Sequence, residues 1–359
     1  MSSAKDHNKE LNLNELIKDK DGDKDKEIGR SDYGVVYSGT YYKRKVAIKE
    51  IVNHHRPTPG KGYDEDFNRD MMLMEKFHHD AIVEFIGAVY LPDKQIIVTE
   101  LCEYGSLDVA MDEYLEEFNE MMKVKCLMNV ASAMRYLHSE SIIHKDLKPQ
   151  NVLIVSLNPR HLTVVAKLTD ICTARSEKRI NCTSTGYDPF MAPEILQRSS
   201  TFDKSIDVYS FSMLMYFIFA EKLPINDAAF GRGSDAYEQI ISGKRPTIPS
   251  TCSKDVGRLM QQCWNGDSLK RPSFEQILSF MEVYYEQCKY GKEGAKARQC
   301  AVELIHQMKL DTEEELIWSL GGTTAFNLIC ELLKTNAIST KRLELKGEVN
   351  VENSMIYWN

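Results

Sequence analysis

The sequence predicts an α+β protein of two lobes, a small lobe rich in β-strands and a large lobe rich in α-helices, with a C-terminal helical extension. The length of 359 residues exceeds the roughly 150 residues of a typical single domain. Short β-branched and aromatic runs dominate residues 28–99, and apolar residues at helical spacing dominate after residue 105. The chemistry of the chain therefore changes at a junction near residues 100–105.

The small lobe is predicted from strands interrupted by one helix. Val35–Tyr37 and Val46–Ile48 have the β-branched and aromatic residues that strands favour. Strand character returns at residues 82–89 and 95–99. Between these runs, Phe67, Met71 and Met74 recur at i, i+4 and i+7, which predicts an amphipathic helix.

The large lobe is predicted from helices around two short β runs, at residues 152–155 and 164–168. The first helix is marked by an apolar stripe at positions three or four apart: Val124, Leu127, Ala131, Met134 and Leu137. Residues 211–220 are the most apolar stretch of the chain, but ten residues are too few to span a bilayer, so a buried helix is predicted.

The predicted domain boundaries follow composition. Residues 1–21 are polar and repeat Lys and Asp, which predicts a disordered leader. Residues 22–286 form the predicted main domain, with a small lobe at 22–99, a hinge at 100–105 and a large lobe at 106–286. Residues 287–359 form a mainly helical extension that is a candidate surface for a protein partner.

Charge and cysteine content exclude several classes of protein. The formal net charge of −8 argues against nucleic acid and anionic membrane as partners. Nine cysteines, an odd number with no Cys-x-x-Cys pair, argue against a disulfide framework or a zinc ribbon. No membrane span and no secretory signal are found, which predicts a cytoplasmic protein and leaves the nucleus open.

Two segments of the predicted small lobe could bind phosphate. Gly29 and Gly34 bound a turn in which backbone amides can lie close to phosphate oxygens. The next strand ends in Lys49, a cation placed to contact the same phosphates. Two glycines in a hairpin are weak support alone, and a solvated strand lysine is the simpler interpretation of Lys49.

The strongest motif is His144–Asn151, which reads HKDLKPQN. Its acid can accept a hydroxyl proton, its second lysine can neutralise a transferring phosphoryl group, and its Asn can bind a metal. Downstream, Lys167–Asp170 ends a β run with a second acid. Further motifs follow in order along the chain: Met191–Glu194, Asp207–Phe211 and Arg271-Pro272.

Together these motifs resemble those of eukaryotic protein kinases, and within them the tyrosine-kinase-like group of serine/threonine kinases. The resemblance covers residues 22–286 and implies the bilobal protein kinase fold. It also implies ATP and Mg²⁺ as ligands and a protein hydroxyl as the phosphoryl acceptor.

The resemblance implies a role for each matching residue. Asp146 would be the catalytic base, Lys148 would steady the γ-phosphate, and Asn151 and Asp170 would hold Mg²⁺. Lys49 would contact the α and β phosphates and pair with Asp70 of the small-lobe helix. The implied ATP-binding residues are Ile28, Gly29, Gly34, Val36, Ala47, Lys49, Thr99, Glu100, Cys102, Ser106 and Leu153. Three others would be structural: Glu194 paired with Arg271, and Asp207 bracing the catalytic loop.

Several positions depart from the family pattern. Ser31 replaces the middle glycine of the loop, Asp70 replaces a longer Glu, and Lys145 replaces an Arg that can bind phosphate through two nitrogens. Cys172 replaces a Gly after Asp170, and Tyr187 replaces a Thr. None of them removes a metal ligand or the catalytic base. The implied enzyme is therefore a slow serine/threonine kinase, with dual specificity left open by Tyr187.

Two alternatives remain at this point. One is a pseudokinase, a nucleotide-binding scaffold with weak or no transfer activity. The other is an interaction protein whose function depends on residues 287–359.

Overall fold

The computed structural model describes residues 10–31, 34–51, 71–91, 94–161, 163–171, 189–197, 202–230, 236–289, 350–351 and 354–355. The chain divides into two compact units, Met1–Leu278 and Ser279–Asn359. The division falls before the predicted 286/287 boundary.

The small lobe of the first unit is an antiparallel sheet of six strands. They are β1 (Leu16–Lys18), β4 (Glu27–Ser31), β5 (Gly34–Tyr41), β6 (Arg44–Ile51), β7 (Phe85–Tyr90) and β8 (Gln95–Glu100). The strand order is β1-β5-β6-β8-β7, and β4 also pairs with β5. The two strand runs predicted at residues 35–37 and 46–48 lie inside β5 and β6. The strand predicted at 82–89 begins later, at Phe85.

The two faces of this sheet differ in burial, as the alternation of side chains along a strand requires. On β6, Val46 and Ile48 are fully buried, while Ala47 and Lys49 are only half-buried. Strand register extends the half-buried face, because Val36 lies opposite Lys49 and Thr99 lies opposite Ala47. One face of the sheet therefore carries the buried cluster around Val46 and Ile48. The other face carries the candidate site, next to a second buried cluster that includes Phe85 and Ile97.

The N-terminal residues correct one prediction. Residues 10–21 are not a disordered leader, because β1 pairs with β5 and a small hairpin of β2 (Lys20–Asp21) and β3 (Lys24–Asp25) follows it. Leu11 and Leu16 pack against the core of the sheet. The polar composition of this segment suggested disorder because two leucines count little among so many charged residues. Some of those charges pair within the hairpin, as Lys20 does with Asp25.

Close approach of β1 depends on Gly39. A side-chain carbon at this position would collide with the backbone carbonyl of Ile17 on β1. Glycine therefore allows the N-terminal strand to lie directly against β5.

The helices in the described part of the first unit are α1 (71–76), α2 (Leu107–Glu113), α3 (Glu120–Ser139), α4 (Pro193–Leu196), α5 (Ser205–Ala220), α6 (Ala236–Ile241) and α7 (Lys254–Cys263). The stripe that begins at Val124 is the buried face of α3, as predicted. Helix α5 is buried along nearly its whole circumference, which confirms the buried helix predicted at residues 211–220.

The two β runs of the large lobe form one hairpin. Strand β9 (Val152–Asn158) pairs antiparallel with β10 (Thr163–Leu168), and β10 packs on α3. The end of β10 also meets the small lobe, because Leu168 exchanges backbone hydrogen bonds with Ala81 and Val83, of 2.8 and 3.0 Å. Both lobes therefore contact the strand that leads to Asp170.

Residues 274–289 are helical and extend from the first unit into the second. The described remainder of the second unit is a short antiparallel pair, β11 (Asn350–Val351) and β12 (Ser354–Met355), which the sequence did not predict. The rest of the predicted helical extension lies outside the described residues. None of the helices described here is both long enough and apolar enough to cross a membrane.

Candidate active site

The loop between α3 and β9 is fixed by one buried carboxylate. Asp207 on α5 is fully buried, and its two oxygens accept the backbone amides of His144 and Lys145, each at 2.8 Å. His138 on α3 contacts the same carboxylate at 2.8 Å. Lys145 has a φ of 68°, a left-handed conformation that costs free energy for a residue with a side chain. The Asp207 carboxylate therefore stabilises the turn that presents Asp146.

Three predicted site residues meet at this loop. The Lys148 ammonium contacts Oδ1 of Asp146 at 2.8 Å. The side-chain Nδ2 of Asn151 donates to Oδ2 of Asp146 at 2.9 Å and to the Asp146 backbone carbonyl at 2.6 Å. Both carboxylate oxygens of Asp146 are therefore held in place, and the amide orientation leaves Oδ1 of Asn151 as its acceptor end.

His144 links this loop to the strand end at Thr169. Its Nδ1 accepts the backbone amide of Asp146 at 3.3 Å, so the ring proton lies on Nε2, which donates to the Thr169 carbonyl at 3.0 Å. The Thr169 amide in turn donates to the Asn151 carbonyl at 2.9 Å. These bonds place Asp170, the next residue, beside the catalytic loop.

Asp170 forms an ion pair with Lys49, with Nζ and Oδ1 2.7 Å apart. The two side chains are 24% and 37% exposed, for Lys49 and Asp170 respectively. Burial acts to raise the pKa of the Asp170 carboxyl, but the charge and hydrogen bond of Lys49 outweigh it and lower the pKa below its usual range. Asp170 is thus held as an anion, in a left-handed conformation with a φ of 59°.

The predicted partner of Lys49, Asp70, lies outside the described residues. The Lys49–Asp70 contact therefore stays a prediction.

The predicted glycine loop lies on β4 and β5. Gly34 needs to be glycine, because a side-chain carbon there would collide with the Glu50 carbonyl of β6. Gly29 has no such requirement, since a side-chain carbon would meet Val36 only at ordinary contact distance. Ile28 on the same strand is exposed. The tip of the loop, at residues 32–33, lies outside the described residues.

The other predicted nucleotide contacts lie around the hinge. Val36, Ala47 and Thr99 share the half-buried face of the sheet with Lys49. In the large lobe, Leu153 pairs with Ser106 in an isolated β-bridge. Strand register thus places three of these positions on one face of the sheet, and the bridge places the other two side by side. Their contact with a base stays a prediction.

Two hinge side chains have specific surroundings. The Cys102 thiol is buried, which raises its pKa to about 12, and the nearby Glu100 carboxylate adds to the effect. A protonated thiol is a poor nucleophile. The Ser106 hydroxyl donates to Oδ1 of Asp108 at 2.6 Å.

Oxygen donors in this cleft suit Mg²⁺. Carboxylate and amide oxygens are hard ligands, and Asp170 and the acceptor end of Asn151 offer one of each. No group of three or more His, Cys, Asp or Glu side chains with metal-binding geometry occurs among the residues that the structure describes. The donor set therefore fits a metal that draws its remaining ligands from phosphate oxygens and water.

The predicted structural pair is also brought together. Arg271 binds Glu194 through two nitrogens, at 2.5 and 2.9 Å, and donates to the carbonyls of Asn265 and Ser205. This arrangement fastens the segment around Glu194 to the base of the large lobe.

Sequence reasoning missed three contacts near the cleft. Asp108 accepts a hydrogen bond from Gln150 of the catalytic loop at 2.6 Å, His79 accepts the amide of Ala81, and Lys167 pairs with Glu100. One of them had a signal in the sequence. Lys167 is the charged residue of the otherwise apolar run Val164–Leu168, and a charge among apolar residues favours a partner.

Comparison with known proteins gives a consistent result. The sequence model described as protein tyrosine and serine/threonine kinase matches residues 23–281. The chain is 31% identical to the probable serine/threonine-protein kinase gdt2 of Dictyostelium discoideum over 71% of its own length and 15% of that protein. It is 32% identical to the serine/threonine-protein kinase VIK of Arabidopsis thaliana, over 72% of this chain and 59% of that protein.

A third relative is the serine/threonine/tyrosine-protein kinase HT1 of Arabidopsis thaliana, which is 28% identical over 71% of this chain and 64% of that protein. The chain thus spans less than two thirds of the length of each of these relatives.

Proposed function

Because the chain belongs to the protein tyrosine and serine/threonine kinase family, we propose that it transfers the γ-phosphoryl group of ATP to a serine or threonine of a protein. The observation that carries this proposal is the meeting of Asp146, Lys148 and Asn151 beside the Lys49–Asp170 ion pair. This cluster joins an oriented carboxylate, two ammonium groups and a pair of metal donors. All three are needed for an in-line phosphoryl transfer.

In the proposed mechanism, Asp146 orients the incoming hydroxyl and accepts its proton. Lys148 offsets negative charge on the phosphoryl group as it moves, and Lys49 does so on the phosphates that remain. Asn151 and Asp170 would hold Mg²⁺, which neutralises phosphate charge when bound. The rate then depends on positioning and on charges fixed before the reaction.

Within the described part of the site, no side chain indicates covalent catalysis. Cys102, the cysteine at the hinge, is held as the thiol by burial. Direct transfer from nucleotide to acceptor hydroxyl is therefore the reaction that we propose.

Specificity for serine and threonine follows the names of the relatives and the Lys148-Pro149 sequence after Asp146. Tyr187 lies outside the described residues, so dual specificity remains open to experiment. A cytoplasmic location is proposed with it, since Cys102, Cys126, Cys252 and Cys263 are thiols rather than disulfides.

The test is a transfer assay with the purified full chain, labelled ATP, Mg²⁺ and a generic basic protein substrate. Wild type should incorporate label, and Asp146→Asn should abolish it. The control is Asp112→Asn, the same change at an exposed residue of α2, which should leave incorporation unchanged. Two results would contradict the assigned role of Asp146: Asp112→Asn also loses incorporation of label, or Asp146→Asn keeps it.

The scaffold alternative has a separate signature. If neither wild type nor Asp146→Asn incorporates label while both bind ATP, the protein is a nucleotide-dependent scaffold and the transfer proposal fails. Deleting residues 287–359 tests the other alternative, an interaction protein whose function depends on this extension. Unchanged recruitment of a partner protein would show that the extension is not the docking surface.

A further inference from the structure

The hinge residue Glu100 has a side chain that joins three separate segments. Its Oε1 accepts the backbone amide of Glu84 at 2.7 Å and contacts the ammonium of Lys167 on β10 at 2.6 Å. The Glu100 amide also donates to the Glu84 carbonyl at 3.0 Å. One carboxylate oxygen thus links the hinge, the turn before β7 and the strand that leads to Asp170.

The same strand end has a second link to that turn. Leu168, next to Lys167, exchanges backbone hydrogen bonds with Ala81 and Val83. The contacts therefore close a ring that runs from Glu100 through Glu84 and Val83 to Leu168 and Lys167. A ring of this kind resists sliding of the strand against the hinge more than either link would alone.

The Glu100–Lys167 pair is well shielded from water. The side chains of Lys167 and Glu100 are 17% and 14% exposed, whereas both members of the neighbouring Arg44–Glu84 pair are 49% exposed. Shielded pairs are little screened by salt, and removing one partner leaves the other charge poorly solvated. The two pairs touch the same turn, but only the first reaches β10.

We propose that the Glu100–Lys167 ion pair sets the position of the hinge relative to Asp170. The two residues would act as positioning residues for nucleotide. This inference rests on the proposed function, in which the hinge backbone contacts the base and Asp170 holds the metal–phosphate end. One ligand must engage both ends, so a fixed distance between them removes a cost of ordering on binding.

The loop that carries Asp146 is held by Asp207, so the proposal predicts different effects on the KM for ATP and on kcat. Loss of the ion pair should weaken nucleotide binding and raise the KM for ATP. It should leave kcat within about threefold, because the contacts of Asp207 and Asn151 that orient Asp146 include neither Glu100 nor Lys167.

The experiment measures binding of a non-hydrolysable ATP analogue with Mg²⁺ by calorimetry, alongside KM, kcat and the thermal midpoint. The variants are Glu100→Gln, Lys167→Met and the double variant. Gln keeps an oxygen that can accept the Glu84 amide, so only the ion pair is removed. Each single variant should weaken binding about tenfold, and the double variant about tenfold rather than a hundredfold, because both substitutions break one link.

Thermal stability distinguishes positioning from a purely structural role. The double variant should regain most of the wild-type midpoint, because neutral side chains remove the unpaired charge. Its nucleotide affinity should nevertheless stay about tenfold weak. Recovery of affinity together with the midpoint would overturn the proposal.

Two further variants control for charge. Lys167→Arg keeps the ion pair and should bind within about threefold of wild type. Arg44→Met breaks the exposed pair on the same turn and should have no effect on binding. Wild-type transfer with unaltered affinity in the double variant would refute this inference alone, whereas a wild type that does not bind nucleotide would refute the proposed function with it.

Discussion

The loop that carries Asp146 and the turn that carries Asp170 are held in place by different kinds of interaction. The loop is held by Asp207 of helix α5, a fully buried carboxylate that accepts hydrogen bonds from two backbone amides of the loop. The turn is held by the hydrogen bonds of Thr169 with Asn151 and His144 and by Lys49, in an ion pair that is about one-third exposed.

These two kinds of interaction contribute differently to folding stability and to function. Buried acceptors of backbone amides are costly to lose, because the amides they leave cannot reach water. A partly exposed ion pair contributes little to folding but places charge where the substrate binds. We therefore expect substitutions below the loop to affect folding, and substitutions at the turn to affect chemistry.

The largest effect is expected for Asp207→Ala. Loss of the carboxylate leaves the backbone amides of His144 and Lys145 without their acceptor. It should lower the free energy of unfolding by about 3–5 kcal/mol. Urea unfolding measures this. The matched change Asp108→Ala, at a half-buried carboxylate whose partners are side chains, should cost about 1 kcal/mol or less. Equal losses would remove the distinction between the two regions.

Lys49→Met should show the opposite pattern. Phosphoryl transfer should fall by about 10²–10³-fold, as for other groups that stabilise charge in the transition state. The free energy of unfolding should change by about 1 kcal/mol or less. Steady-state kinetics and urea unfolding on the same preparation check both. Lys45→Met, on the same strand and in an exposed pair with Asp19, is the control and should affect neither quantity.

His79 sharpens the comparison, because it supports the strand before Asp170. Its Nδ1 accepts the Ala81 amide at 3.1 Å, and the Ala81 carbonyl accepts the Leu168 amide. Burial lowers the pKa of the His79 imidazole and the nearby Arg135 lowers it further, while Asp80 opposes them. The folded protein therefore binds this proton less tightly than the unfolded chain, whose histidine pKa is about 6.5.

The direction in which stability changes with pH follows from this difference in proton affinity. Stability is full above pH about 6.5 and falls as the pH drops through that value, because the unfolded chain takes up the proton first. His79→Phe keeps an aromatic ring against Tyr136, should cost about 1 kcal/mol at pH 7.5, and should flatten this dependence. Unfolding of wild type and His79→Phe measured between pH 5 and 7.5 checks it. An unchanged slope in His79→Phe would contradict the assignment.

The smallest effect concerns backbone strain at Lys145. Because its φ is 68°, Lys145→Gly should be more stable than Lys145→Ala by about 0.5–1 kcal/mol. At Arg135, an exposed position within α3, the order should reverse, with Ala better than Gly by about 1 kcal/mol. The same order at both positions would show that Asp207 does not hold a strained turn.

The class of fold and a set of candidate site residues could be predicted from the amino-acid sequence. β-Branched and aromatic content located β5 and β6, helical periodicity located α3, and an apolar run located the buried helix α5. Each is a local signal, since burial of one face or of a whole helix leaves a pattern of apolar residues. The motif around Asp146 was read directly, because its chemistry requires particular residue types at short spacing. The N-terminal segment was misjudged, since two leucines among many charges leave too weak a local signal.

Local sequence patterns do not indicate which distant groups meet, although the kinase resemblance implied that Asp207 braces the loop. The contacts of Asp207 with the loop, of Lys49 with Asp170 and of Lys167 with Glu100 each join residues more than sixty positions apart. Nothing local encodes such contacts, because they arise when strands and helices pack and bring buried charges within reach of the few partners that can satisfy them.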